Sequence, residues 1–349
     1  MDPFNKAAGT SRDTGAARGP DTSATADVFA NDPLWAARPR HVKVRAPGKI
    51  NAFFQVGPLR PDGYHSVAST YLAVSRYEEV LVMVKPGTDA TDITVSIGAG
   101  STLDPVDLAN IPLDKGNLAV QAALLVADIS ANPSGIHIEI TKHVPIAGGM
   151  GGGSADAAAT LVACDALWHT GLSREELSQL GSELGADVPF ALLGGAAVGL
   201  GIGDKLTAAL APTPLHWVLV PAGFGLSTPV VYGTLDALRE ASGREVREPE
   251  QVEAGVLAAL RAGDPHALAP FLRNDLGAAA ESLAPALSEV LALGDELGAL
   301  ASLVSGSGPT LAFLASDADD ASDLAAALAE HGHQAWAVEG PVHGAAIIP

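Results

Sequence analysis

The sequence holds a single cysteine, Cys164, only 5% aromatic residues, and half as many basic as acidic side chains, 20 against 40. One cysteine excludes an intramolecular disulfide and gives no sign of an oxidising compartment. Lying in a helical pattern, Cys164 reads as a small apolar core residue more readily than as a catalytic thiol. With few aromatics and 48% hydrophobic residues, the cores are expected to be aliphatic, built from Ala, Val and Leu. A formal charge of -20 argues against a nucleic-acid surface or an anionic membrane as partner. Phosphate can still be bound locally. No apolar run approaches the ~20 residues of a membrane-spanning helix. The first residues also lack the basic start and apolar stretch of a signal peptide, so a cytoplasmic location is expected. Among the ten histidines no metal-ligand spacing stands out, so no metal cage is assigned.

What the sequence does hold is a glycine-rich stretch, Val144-Pro145-Ile146-Ala147-Gly148-Gly149-Met150-Gly151-Gly152-Gly153-Ser154-Ala155-Asp156. Upstream, residues 135–140 alternate apolar and polar side chains as a strand does, with Lys142 and Pro145 marking its end. Downstream, Ala155 to Trp168 has helical periodicity with no internal Gly or Pro. Glycine loses more backbone entropy on ordering than any other residue, so five between a strand and a helix need a reason. Bare backbone N–H groups followed by the positive end of a helix make an anion cradle suited to phosphate. Ser154 would cap the helix or lend its hydroxyl to a phosphate or metal. The stretch is neither a Walker loop, since no Lys-Ser or Lys-Thr follows, nor the Gly-x-Gly-x-x-Gly of a dinucleotide fold. The bland alternative is a flexible surface turn, against which the flanking strand and helix speak.

At 349 residues the chain is long enough for two domains with their own cores. Residues 1–40, rich in Ala, Asp, Thr, Gly and Pro without periodicity, read as a disordered leader. From His41 to Val56 the pattern predicts two short strands joined at Ala46-Pro47-Gly48. Lys49 and Asn51, two apart, share one face of an extended segment, with Ile50 and Ala52 toward a core. Lys49 reads equally well as a solvated strand lysine. Pro61-Asp62-Gly63 is a turn signal that delivers Tyr64 and His65 side by side, either to hold a flat heterocycle or simply to pack a hairpin. Asn117 is placed to cap a helix, and Ser173 to Glu176 has the form of a capping box. Asp187 sits at a Gly-marked helix exit before Val188-Pro189, where an extended backbone is expected and local partners are few. It faces solvent or has a chemical task. Glycines 194–203 suit a handover between domains, predicted at residues 199 and 200. Beyond them an α/β rhythm follows, with Thr228 near a helix start and a second glycine turn, Ser305-Gly306-Ser307-Gly308, between two strands.

In order along the chain, Pro47-Gly48-Lys49-Ile50-Asn51, Pro61 through His65, Pro145 through Ala155, Leu184 through Phe190, and Ser305 through Gly308 resemble the GHMP kinase superfamily. The resemblance covers about Val42 to the C-terminus. It implies an α+β fold of two domains, an N-terminal one (41–199) like ribosomal protein S5 and a C-terminal α/β sandwich (200–349), with the active site in the cleft between them. It implies ATP as co-substrate, magnesium with it, and a small-molecule alcohol as phosphoryl acceptor. The acceptor implied by residues 61–65 is 4-diphosphocytidyl-2-C-methyl-D-erythritol, whose cytosine would be gripped by Tyr64 and His65. Homoserine and mevalonate, acceptors of other members, have no such ring. By the same resemblance Asp187 is the base and Lys49 stabilises the transferring group. Pro145, Ile146, Ala147, Gly148, Gly149, Met150, Gly151, Gly152, Gly153, Ser154 and Ala155 hold the ATP phosphates. Asn117 and Lys142 lie near the nucleotide, and Asn51 and Thr228 lie on the substrate side. Two departures stand out: Gly48 where relatives often have Ala or Ser, and Ala155 where a second Ser is common, the latter removing one phosphate contact.

Overall fold

The computed structural model describes residues 40–243 and 245–349; the expected leader, Arg40 apart, lies outside them. Two long antiparallel strands, β1 (His41–Leu59) and β2 (His65–Val84), carry the fold. They turn at Pro61-Asp62-Gly63, where Gly63 takes a φ of +84° and the Asp62 side chain accepts from the Tyr64 N–H at 3.1 Å. The predicted break at Ala46-Pro47-Gly48 is absent. The ladder instead shifts register there: Pro47 pairs with Tyr77 and Gly48 with Val74, leaving Ser75 and Arg76 of β2 as an irregularity. A bulge is one of the few places within a sheet that accepts proline.

The extra residues lie on β2, so β1 keeps its alternation through the shift. Before it, Val42, Val44 and Ala46 enter one core; after it, Ile50 and Ala52 enter another. Lys49 and Asn51, on the alternate positions, line a cavity. Around the pair, β3 (Ile93–Ile97), β4 (Ile136–Thr141), β5 (Ala196–Leu200), β6 (Lys205–Ala209), β8 (Arg273–Asn274) and β12 (Ala346–Ile348) complete one sheet. Its main path runs β12-β1-β2-β4-β3. The handover predicted at residues 199 and 200 falls inside β5, and the chain leaves this sheet only after Ala209.

On the first core, helices Leu118–Ile129 and Gly152–Trp168 pack against Val80, Val82, Ile136, Ile138 and Ile140. Alanines dominate both helices, so the backbones approach closely. A second, antiparallel sheet has the order β11-β7-β10-β9, with β7 at Leu215–Val220, β9 at Ala301–Val304, β10 at Leu311–Leu314 and β11 at Trp336–Gly340. Strand periodicity divides its side chains cleanly. Trp217, Leu219, Ala312 and Leu314 join the core shared with Ile50 and Leu72. Val218, Val220, Leu311 and Phe313 join a core capped by helices Thr228–Ser242, Gly277–Leu283, Ala286–Glu296 and Ala318–Glu330. The fold is thus α+β, as expected, although the Gly277–Leu283 helix and β12 were not anticipated.

Two local predictions need correcting. The helix after the glycines starts at Gly152, not Ala155, and its N-cap is Gly151 at φ +71°; Ser154 lies inside the first turn and does not cap. The capping role fails because a left-handed residue, free of a Cβ, already makes the entry turn. Asp187 opens a short helix, Asp187–Leu193, rather than lying on an extended segment. Pro189 is tolerated in that first turn, where backbone N–H groups have no helical partner.

Candidate active site

Two cavities meet along the glycine loop. One, of about 360 Å³, is lined by residues 110–112, 116–118, 142, 144–149, 151–154 and 156. The other, of about 340 Å³, is lined among others by Lys49, Asn51, Tyr71, Asp187, Thr228 and Tyr232. Gly149, Gly151 and Ser154 border both, so the loop is their common wall.

The loop is fixed at several points. Lys49 N–H donates to the Met150 carbonyl at 3.0 Å, tying it to β1. Gly149, at φ +75°, lies against the second glycine turn: an added Cβ would stand 2.9 Å from the Ser305 carbonyl oxygen and 3.1 Å from that of Gly308. Ala147 is held at φ +53°, a conformation costly for a residue with a Cβ and typical of functional loops. Met150 and Ala155, expected with the phosphate-holding residues, point into the protein instead, 1% and 0% exposed. Asn117 caps the Leu118–Ile129 helix, accepting from the Ala119 N–H at 2.9 Å and donating to the Pro112 carbonyl at 2.8 Å. Its amide therefore shapes the cavity wall.

Lys142 is also committed. Its ammonium meets Glu78 at 2.9 Å and Asp156 at 2.6 Å, all three buried. Glu78 further accepts the N–H groups of His143 and Val144 at 3.0 and 3.1 Å, which pins the start of the loop. Burial pushes the Glu78 carboxyl up to about 8, with Asp156 adding to the rise and Lys142 opposing it. Burial raises Asp156 too. For Lys142 burial works against the charge, but the two carboxylates outweigh it and push the ammonium up to about 12. Neither Glu78 nor Asp156 was singled out from sequence. A carboxylate on the alanine-rich face of a buried helix was the available signal.

On the other side of the wall, Lys49 and Asp187 flank Gly151. A Cβ there would lie 3.5 Å from Lys49 Cγ and 3.8 Å from Asp187 Oδ2. Lys49 is buried, and desolvation lowers its pKa while the Asp187 charge works the other way. Its Nζ donates to Asn51 Oδ1 at 2.7 Å. Thr228 Oγ1 and Ser307 Oγ share a hydrogen bond of 2.8 Å at the same cavity. Tyr71 and Tyr232 complete the lining; burial pushes the Tyr232 phenol up to about 12, and raises that of Tyr71 further. Both tyrosines were missed, because nothing local in β2 or in the 228–242 helix marks them.

Tyr64 and His65 are not delivered side by side into that lining. Tyr64 is 61% exposed, while His65 is buried, its Nε2 2.9 Å from Asp236 Oδ1 and its ring 5.0 Å from that of Tyr232. Neighbouring residues at a strand start point to opposite sides, so adjacency in sequence separates them.

A cradle of backbone N–H groups at a helix N-terminus, abutting a lysine and a carboxylate across one glycine, is the arrangement of a phosphotransferase. The model for the GHMP kinases N terminal domain matches residues 117–195, and that for the GHMP kinases C terminal matches residues 256–334. The chain belongs to the GHMP kinases, a family of ATP-dependent kinases. Its relatives include 4-diphosphocytidyl-2-C-methyl-D-erythritol kinase of Paenarthrobacter aurescens, 61% identical over 309 residues, 88% of this chain and 96% of the relative. The enzyme of that name from Streptomyces coelicolor is 49% identical over 291 residues, 83% of this chain and 93% of the relative. A crystal structure of 4-(cytidine 5'-diphospho)-2C-methyl-D-erythritol kinase superposes with a TM-score of 0.70 at 30% identity, covering 86% of this chain and 99% of that one. Homoserine kinase from Cytophaga hutchinsonii, at 20% identity and a TM-score of 0.66 over 89% of this chain and 98% of its own, shares the fold.

Proposed function

We propose that the chain transfers the γ-phosphoryl group of ATP to the 2-hydroxyl of 4-diphosphocytidyl-2-C-methyl-D-erythritol, in the methylerythritol phosphate route to isoprenoid precursors. The observation that carries this reading is the shared wall, with a backbone cradle on one side and Lys49 and Asp187 on the other. ATP would lie along residues 145–154, its phosphates toward the N–H groups of the helix start. Asn117 and Lys142 would shape that cavity. Phosphoryl transfer needs alignment and charge neutralisation more than covalent help. Asp187 would take the proton from the attacking hydroxyl, and the Lys49 ammonium would stabilise the alkoxide and the transferring group.

On the acceptor side, Asn51 and Thr228 would bind the methylerythritol diphosphate portion. Tyr64 and His65 are assigned to the cytosine, a reading supported by the contact of His65 with the cavity-lining Tyr232. Among the described residues no cluster of three or more His, Cys, Asp or Glu could hold a metal. That donor set fits a magnesium ion carried in by phosphates and keeping several waters, with Ser154 a hydroxyl-bearing residue that lines both cavities. Bound there, magnesium would supply charge neutralisation along the phosphates. We read residues 41–199 and 200–349 as the two domains, supported by family-model matches falling on either side of that boundary, with the end of β5 and all of β6 carrying the first sheet past it to Ala209. A cytoplasmic location belongs to the same proposal; no helix among the described residues is long and apolar enough to cross a membrane.

The test is coupled ADP release with ATP, magnesium and the cytidyl acceptor, wild type against Asp187→Asn. Turnover that collapses in the variant while ATP still binds supports both substrate and base. A folded, ATP-binding wild type that turns over only homoserine or mevalonate overturns the acceptor assignment.

A further inference from the structure

In the acceptor cavity a buried polar chain ties Lys49 and Asn51, both given roles above, to Ser69, which has none. Lys49 Nζ donates to Asn51 Oδ1 at 2.7 Å, and Asn51 Nδ2 donates in turn to Ser69 Oγ at 2.7 Å. Lys49 is 8% exposed, Asn51 1% and Ser69 0%. The backbone of Asn51 is held separately, its N–H donating to Ser305 Oγ at 3.2 Å. On the remaining side stands Gly306, where a Cβ would lie 3.0 Å from Asn51 Oδ1 and 3.6 Å from Lys49 Nζ. Asn51 is thus held at its backbone by Ser305 and at the two ends of its amide by Lys49 and Ser69. Ser69 lies one turn of the β2 pleat from Tyr71 and pairs across the ladder with Phe54.

We propose that Ser69 is a positioning residue of the phosphoryl transfer: by accepting from the Asn51 amide it holds Asn51 Oδ1 against the Lys49 ammonium, keeping that lysine charged and aimed at the acceptor hydroxyl. The inference rests on Lys49 having the role proposed above. The physical reason is twofold. A buried ammonium needs an acceptor to offset the loss of water, and a donor–acceptor chain polarises each of its links, so donation by Nδ2 makes Oδ1 the better acceptor. Removing the Ser69 hydroxyl leaves a buried amide N–H without a partner, and the amide then gains by turning away from Lys49. Burial already lowers the Lys49 pKa, in the direction that a lost acceptor would add to. The other ionisable groups facing it are Asp187, which favours its charge, and Tyr71, whose ring centroid is 5.7 Å from Nζ and whose phenol stays neutral. Tyr232, across the cavity, is neutral at the same pH.

The experiment is the pH profile of kcat/KM for the cytidyl acceptor in the full chain, for wild type, Ser69→Ala, Asn51→Asp and the double variant. In Ser69→Ala the alkaline limb is expected to move down by about one pH unit, so that kcat/KM falls roughly tenfold at pH values above the wild-type limb and is little changed well below it, with the ATP affinity unchanged. In the Asn51→Asp background the same Ser69→Ala change should leave the limb in place or move it up. There both oxygens of residue 51 are acceptors, and the serine acts as donor rather than acceptor. A limb that stays put in Ser69→Ala, or moves down equally in both backgrounds, overturns the proposal, since a purely structural effect would not depend on which atom faces the serine. Should Ser69→Ala not fold, Ser69→Gly also removes the acceptor, and an unshifted limb there also overturns it. Lys49→Met separates the two readings: if it retains turnover, the role of Lys49 itself fails. If it abolishes turnover while Ser69→Ala changes nothing, only the present inference fails.

Discussion

The two cavities beside the glycine loop solve the same electrostatic problem in opposite ways. The nucleotide side presents backbone: glycines, a helix N-terminus, and a buried Glu78–Lys142–Asp156 cluster whose charges meet one another. The acceptor side presents side chains, Lys49, Asp187 and two tyrosines, with Lys49 and Asp187 kept apart across Gly151. A surface made of main chain binds what any ATP offers, and its sequence requirements concern conformation. A surface made of side chains chooses its substrate, and its requirements concern identity. Substitutions on one side should therefore leave the other nearly untouched, and the cases below are arranged to strain that division.

The largest effect is expected from Asp187→Asn, a change of about 10²–10⁴-fold in kcat with ATP affinity retained, measured by ADP release and by nucleotide titration. Gly149→Ala should break the division, since its Cβ would press on the carbonyls of Ser305 and Gly308 from a left-handed backbone. Both ATP affinity and acceptor KM are expected to worsen, roughly tenfold each, because the shared wall must move. An effect confined to ATP would show that the second glycine turn does not depend on the first.

Glu78→Gln probes the nucleotide side through stability. The Glu78 carboxyl titrates near 8 when folded and near its ordinary value of 4.5 when unfolded. Between those values the folded state holds the extra proton, so wild-type stability falls as pH rises. The variant carries no such proton. Its urea midpoint, relative to that of the wild type, should accordingly rise from pH 5 to pH 8; a constant difference would mean the buried cluster does not titrate. The smallest effect is expected from Tyr64→Ala. It should raise the acceptor KM several-fold and leave ATP binding alone, and an equal effect on both would remove Tyr64 from cytosine recognition.

The same contrast explains what the sequence could reveal. The nucleotide side was legible because positive φ angles at Gly149 and Gly151 call for glycine, and glycine is visible in a string of letters. Lys49, Asn51 and Asp187 were found as candidates, but their neighbours were not. Tyr71, Tyr232 and Ser69 are ordinary residues in ordinary elements until the fold brings β1, β2 and the 228–242 helix around one cavity. The Glu78 carboxylate reaches Lys142 across 64 positions of chain, which no local pattern records. Prolines misled twice. Pro47 suggested a break where a bulge absorbs it, and Pro189 suggested an extended backbone where the first turn of a helix has no use for its missing N–H.

The register shift between Pro47 and Gly48 has a consequence for how this strand can change over evolutionary time. Because side chains alternate, inserting or deleting one residue between Arg45 and Lys49 without a matching change opposite would send Lys49 and Asn51 into the core and Ile50 out of it. Most single substitutions in the same stretch leave that parity alone. The strand should therefore be far more forgiving of altered letters than of altered length.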